Sequence, residues 1–113
     1  MHELSITQSM FELVIEQAKK EKASKVTSVN LVIGEITGVV SESVQFYFDL
    51  LSKDSIAENT QLNITMVPCV VHCRKCNRNS NLDKSEYICP HCKEHELEII
   101  SGEELFVESI EVQ

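Results

Sequence analysis

The sequence predicts an α+β fold: two helices on a small mixed β-sheet, with a four-cysteine zinc-ribbon module inserted between the strands. Three observations predict it. Apolar residues recur at helical spacing in two segments, they alternate at strand spacing in four others, and two Cys-x2-Cys pairs interrupt the strands. With 113 residues the chain fits one domain carrying a small inserted module, because a single core takes on the order of 100 residues. Residues 1–68, completed by 98–113, are expected to form an α/β domain, and residues 69–97 the ribbon.

Residues 5–22 read as an amphipathic helix. Ser5 is placed to cap it, Ile6, Met10, Leu13, Val14 and Ala18 recur at spacings of three and four, and Lys19, Lys20 and Lys22 suit its C-terminal end. Over residues 25–36 the period changes to two, with Val29, Leu31 and Ile33 on one face and Ser28 and Asn30 on the other, closed by Gly34 and Gly38. Ser41 or Ser43 caps a second helix reaching about residue 52. Its Val44, Phe46, Tyr47, Phe48, Leu50 and Leu51 make it the more apolar of the two and a main supplier of the core. Leu62, Ile64 and Met66 alternate with Gln61, Asn63 and Thr65 as a second strand that Pro68 ends or confines to an edge. After the cysteines, strand-like runs return at residues 96–100 and 104–112, separated by the turn Ser101-Gly102.

Composition narrows the function classes. A formal charge of −8 disfavours sequence-independent attraction to nucleic acid, which clustered Lys and Arg supply, and fits a basic protein partner better. The continuously apolar stretch at residues 66–71 is far short of the roughly 20 residues that span a bilayer, so no membrane helix is expected. No basic segment followed by an apolar run opens the chain, so a signal peptide is not expected either, and the cytoplasm is the expected compartment. The glycines at 34 and 38 lack the Lys and Ser or Thr of a phosphate loop, and no catalytic set competes, so the chain reads as a non-enzyme.

The five cysteines make an odd count, and in a reducing compartment two Cys-x2-Cys pairs read as metal ligands before disulfides. The spacing Cys73-x2-Cys76-x12-Cys89-x2-Cys92 places thiolate pairs in two tight turns that one tetrahedral zinc joins. Four protein ligands leave no open position, so the zinc is expected to be structural. A redox dithiol usually stands once, at a helix N-terminus, whereas Pro90 and the polar residues 77–85 describe a ribbon. Arg74, Lys75, Arg78, Lys84 and Lys93, opposed in that region by Asp83 and Glu86, are placed to stabilise the thiolates. Cys69, His72, His91 and His95 are expected to be non-ligands, with Cys69 a small buried apolar side chain.

His2 sits just before the first helix. A terminal amine, the amide nitrogen of residue 2 and the His2 imidazole form fused chelate rings around one metal, with Glu3 or a partner group closing the square. Such nitrogen-rich planar coordination suits Ni(II) or Cu(II).

Several motifs together resemble one family: the opening Met1-His2-Glu3-Leu4-Ser5-Ile6, Ile33-Gly34-Glu35, the 43–51 helix with Phe46 and Phe48, and both cysteine pairs including Cys89-Pro90-x-Cys92. The ending Gly102-x-Glu104-Leu105 with Ile110-Glu111-Val112 belongs with them. The chain resembles the HypA/HybF nickel metallochaperones of [NiFe] hydrogenase maturation across nearly its whole length. The resemblance implies Ni(II), the transferred cargo, at His2 with Glu3 adjoining, and structural Zn(II) on Cys73, Cys76, Cys89 and Cys92. It implies a HypB-type GTPase and the hydrogenase large-subunit precursor as partners, urease accessory proteins as possible further ones, and a monomer or homodimer. Some members recruit a further carboxylate from the segment after the first strand; here Val39 and Val40 stand there, between Glu35 and Glu42. The alternatives are a zinc-ribbon adaptor binding nucleic acid or protein, and a thiol oxidoreductase.

Overall fold

The periods read from the sequence fold as α1 (Glu3–Lys20), β1 (Val26–Gly34), a single 3-10 turn (Glu35–Thr37), α2 (Ser41–Ser52), β2 (Gln61–Val67), β3 (Val70–Cys73), β4 (Asn79–Asn81), β5 (Leu97–Ser101) and β6 (Leu105–Val112). The structure is a computed structural model and describes residues 2–82 and 87–113. Two three-stranded sheets result, ordered β2-β1-β6 and β4-β3-β5.

In the first sheet β1 pairs parallel with β2, through the α2 crossover that parallel strands require, and antiparallel with β6. The mixed sheet carrying two helices is the architecture expected. Val29, Leu31 and Ile33 on one face of β1 meet Met10, Val14 and Ala18 of α1, which recur every four residues, and Val44 and Phe48 of α2 in one core. Phe11 and Phe48 meet edge to face at 5.8 Å. On the opposite face the Asn30 amide donates to Ser109 Oγ at 2.8 Å and its carbonyl accepts from Asn63 at 3.0 Å. A polar ladder thus ties the three strands where no helix lies.

Several local expectations are corrected. Helix α1 begins at Glu3, and its N-cap is His2, not Ser5. The Ser5 hydroxyl lies inside the first turn and donates to the His2 carbonyl, which also accepts from Ile6 N–H. Neither Ser41 nor Ser43 caps α2, whose N-cap is Val40. Helix α2 buries only Val44, Phe48 and Ser52, leaving Phe46 62% exposed, so it supplies less of the core than its composition suggests. Residues 98–101, expected in the first domain, belong to β5, which pairs with β3. The register opposes Val71 to Ile99 and Cys73 to Leu97, and Leu97 and Ile99 pack on a second core of Cys69, Val71 and Leu82.

The two sheets lie end to end, giving extents of 54 × 25 × 17 Å and a radius of gyration of 17.5 Å, against about 13 Å for a compact domain of this size. The neck between them is backbone packed on backbone. Gly34 N–H donates to Glu104 O at 2.5 Å and Ile36 N–H to Gly102 O at 2.9 Å, while the Ile36 side chain enters the second core. A Cβ at Gly34 would collide with the Gly102 carbonyl, and one at Gly102, whose φ is +110°, would come within 2.7 Å of Cys69 Cα.

Gly34→Ala is therefore expected to destabilise the protein by about 3 kcal/mol, the upper range of overpacking, because the atoms in its way are main chain. Gly38→Ala, at φ +72°, meets only the left-handed penalty of roughly 1–2 kcal/mol. Thermal unfolding of both variants checks the order; equal losses contradict the packed neck.

Candidate metal centre

The polar residues after Val71 are drawn into two turns of nearly the same construction. In the first, Cys73 N–H donates to Arg78 O at 2.9 Å and Asn77 N–H to Cys73 O at 2.8 Å, with Asn77 left-handed at φ 57°. In the second, Cys89 N–H donates to Glu94 O at 2.8 Å and Lys93 N–H to Cys89 O at 2.9 Å, with Lys93 left-handed at φ 65°. Asn77 and Lys93 each stand four residues after the leading cysteine, so the repeat Cys-x2-Cys-x is a repeat of backbone as well as of ligands. The sequence reading missed this; the signal was Asn77, a residue that tolerates the left-handed region.

These turns bring Cys73, Cys76, Cys89 and Cys92 together with all four sulfurs within 4.8 Å of one another. Cys73 Sγ lies 3.5 Å from Cys92 Sγ, and Cys76 Sγ 3.7 Å from Cys89 Sγ. A tetrahedron with Zn–S bonds of about 2.3 Å has edges of about 3.8 Å. The donor set and its spacing therefore suit a structural zinc, with no coordination position left for a substrate. Neither pair stands at a helix N-terminus, the setting of a redox dithiol.

Amide groups converge on the sulfurs. The Cys92 N–H, together with the His91 N–H at 3.4 Å, stabilises the Cys89 thiolate and holds its pKa down at about 6 against the opposing effect of burial. At Cys92 the Glu94 N–H acts in the same direction, but burial and the neighbouring sulfurs outweigh it and push the thiol up to about 12. Burial, then the Cys73 and Cys89 sulfurs, raise Cys76 against the Arg78 N–H. Arg78 N–H at Cys76 and Glu94 N–H at Cys92 are again equivalent positions.

Two of the five cations expected to stabilise the thiolates are otherwise engaged: Arg74 pairs with Glu98 and Lys75 with Glu96, each at 3.7 Å on the surface. Such exposed pairs contribute only ~0–1 kcal/mol each, but they offset two of the charges that a nucleic-acid reading would need. Lys84, Asp83 and Glu86 lie outside the described residues. Among the other expected non-ligands, Cys69 is buried in the second core, the His72 ring meets Asn79 Oδ1 at 2.7 Å, and His95 Nδ1 lies 3.3 Å from Tyr87 O.

The other metal candidate, His2, stands elsewhere, exposed at the N-cap of α1. It lines a surface cleft of about 320 Å³ with Glu3, Leu4, Ser5, Gln8 and Tyr47. The N–H groups of His2 and Glu3 open the helix and have no intrahelical acceptor. Glu3 differs from His2 in being buried, and its Oε2 accepts from the Val40 N–H at 3.2 Å. The structure thus places His2 and Glu3 side by side in sequence but in different surroundings. Met1 lies outside the described residues. Among the described residues no helix is long and apolar enough to cross a membrane.

Asn77→Val is expected to destabilise the first turn by about 1–2 kcal/mol, because a β-branched residue is disfavoured at positive φ. Asn77→Gly is expected to be tolerated. Thermal unfolding that ranks the two variants equally contradicts the assigned turn.

Residues 1–112 match a family model described as "Hydrogenase/urease nickel incorporation, metallochaperone, hypA". A relative from Dehalococcoides mccartyi (strain CBDB1), "Hydrogenase maturation factor HypA", is 41% identical over 99% of this chain and 94% of its own length. One of the same name from Caldanaerobacter subterraneus subsp. tengcongensis is 41% identical over the whole of both chains. A structure described as "Solution structure of the Ni metallochaperone HypA from Helicobacter pylori" superposes with a TM-score of 0.66 at 25% identity, over 99% of this chain and 97% of that one. Another, "Solution structure of HypA protein", gives 0.71 at 26% identity over 100% and 97%.

Proposed function

Because the chain belongs to the HypA family of nickel-incorporation metallochaperones, we propose that it carries Ni(II) as cargo at its N-terminus and passes it to a [NiFe] hydrogenase precursor. The observation that carries this reading is the position of His2: an exposed imidazole at a helix N-cap, next to N–H groups that the helix leaves unpaired. An imidazole, the residue-2 amide nitrogen and a terminal amine make a planar, nitrogen-rich set for Ni(II). Such a set, open to solvent, permits both loading and release. The chain acts as a carrier without chemistry of its own, in the cytoplasm, where its thiols stay reduced. A HypB-type GTPase supplies the nucleotide hydrolysis, and a urease precursor is a second destination for the same cargo.

In this reading Cys73, Cys76, Cys89 and Cys92 hold Zn(II) for structure alone. The chain divides into a nickel unit, residues 1–68 with 102–113, and a zinc unit, residues 69–101. The second core of Cys69, Val71 and Leu82, with Ile36, Leu97 and Ile99 against it, is too small to order its sheet without the metal. Cys76→Ser is expected to lose bound zinc and the protection of β3–β5 amides while β1 and α1 remain protected. Metal analysis with hydrogen exchange checks this, and stoichiometric zinc in the variant contradicts the ligand assignment.

His2→Ala is expected to abolish nickel binding while leaving zinc content and thermal stability within about 0.5 kcal/mol of the parent, since an exposed terminal residue contributes little to the fold. If the terminal amine is a ligand, an N-terminal extension weakens binding with His2 present, whereas a C-terminal tag does not. Nickel titration of the untagged, extended and substituted proteins separates the ligands. Undiminished binding in both altered proteins moves the site elsewhere and overturns the reading.

A further inference from the structure

Helix α2 starts without a side chain of its own to cap it. Its N-cap is Val40, which has no acceptor, and the position three residues on, where a capping-box glutamate would reach back to the N-cap N–H, is Ser43. That N–H is nevertheless satisfied, because Glu3 Oε2 from α1 accepts from Val40 N–H at 3.2 Å. Glu3 is 8% exposed, and its carbonyl is also engaged, accepting from the Thr7 hydroxyl at 2.5 Å. Glu3 is at the same time the first residue of α1 and the acid of its first turn. One buried carboxylate therefore stands at the positive ends of two helix dipoles.

We propose that Glu3 is a positioning residue and not a side-chain nickel ligand: its carboxylate is the cap of α2, supplied from α1, and this contact fixes the start of α1 from which His2 projects. The inference rests, for its nickel consequence, on the reading that nickel binds at His2. Turning the carboxylate to a metal would strip Val40 N–H of its acceptor and remove the charge from both helix ends. The fourth donor then comes from the acceptor protein. Val40, in the segment that follows the first strand, contributes a backbone donor to hold Glu3 in place of a carboxylate for the metal.

The test compares zinc-loaded, nickel-free protein with its Glu3→Ala, Glu3→Gln and Glu3→Asp variants, and with Glu12→Ala as an exposed glutamate on the same helix. Loss of the cap is expected to lower the melting temperature of Glu3→Ala by about 4–8 °C. Glu3→Gln, which keeps an acceptor but not the charge, should lose less, and Glu12→Ala nothing measurable. Should Glu3→Ala fail to fold, Glu3→Asp, whose carboxylate is one methylene short of Val40, is expected to melt below the parent. Nickel titration followed by absorption is then expected to show weaker binding in Glu3→Ala with the band positions of the parent, and recovery of affinity in Glu3→Gln. A fall in Glu3→Ala no larger than in Glu12→Ala overturns the proposal, as does Glu3→Asp melting with the parent. Displaced nickel bands in both Glu3→Ala and Glu3→Gln overturn it too, because they mark the loss of a carboxylate ligand. If no protein binds nickel, parent included, the carrier reading fails, and the melting order alone upholds or overturns the cap.

Discussion

Backbone packed on backbone at Gly34, Gly102 and Cys69 is the constraint on which both halves of the molecule depend, because it lets two small sheets share one chain reversal. Gly34 closes the central strand of the first sheet, and Gly102 lies between β5 of the second and β6 of the first. Any side chain at Gly34 would push those segments apart. The pairing of Gly34 with Glu104 starts β6, and that of Ile36 with Gly102 carries Ile36 into the second core. The Ser101 hydroxyl completes the neck by donating to Pro68 O at 2.9 Å. Pro68 thus ends β2 and also holds the exit from β5.

Much of the first sheet and its two helices was legible because these elements are held by local periods. Met10, Val14 and Ala18 announce a helix face whatever they pack against, and Val29, Leu31 and Ile33 announce a strand. The cluster of four cysteines was legible because chelation needs two close pairs, a constraint written in spacing. The caps were not legible, since the acceptor for Val40 N–H comes from residue 3, thirty-seven residues away, and no local rule points there. The partner of β5 was hidden for the same reason. Alternation shows that residues 97–101 form a strand and gives no sign of which sheet they join. Charge was misread where Glu96, inside the ribbon as bounded from sequence, and Glu98, just beyond it, pair with Lys75 and Arg74.

The segment from Glu35 to Val40 belongs to both ends of the molecule. Ile36 packs among Cys69, Val71 and Leu82, Val39 is buried with Val44 and Phe48, and Val40 N–H reaches Glu3. Thr37 holds this short path rigid, its hydroxyl donating to Gly34 O at 2.8 Å and accepting from Val39 N–H at 3.2 Å. The distal core and the first turn of α1 are therefore joined by a few packed residues, not by a flexible linker.

The chemistry of the ribbon suits a cation at its centre. The amides of each turn point at the sulfurs and favour thiolates, most strongly at Cys89, held near 6. Yet at Cys92 burial, and then the repulsion of neighbouring sulfurs set 3.5 and 3.7 Å apart in pairs, outweigh the Glu94 amide and push the thiol up to about 12. Amide donors therefore suffice to favour a thiolate at Cys89 but not at Cys92. A divalent ion at the middle offsets that repulsion and takes the place of the remaining protons. The paired turns thus suit a bound cation, which would make the charge of four thiolates compatible with their separation.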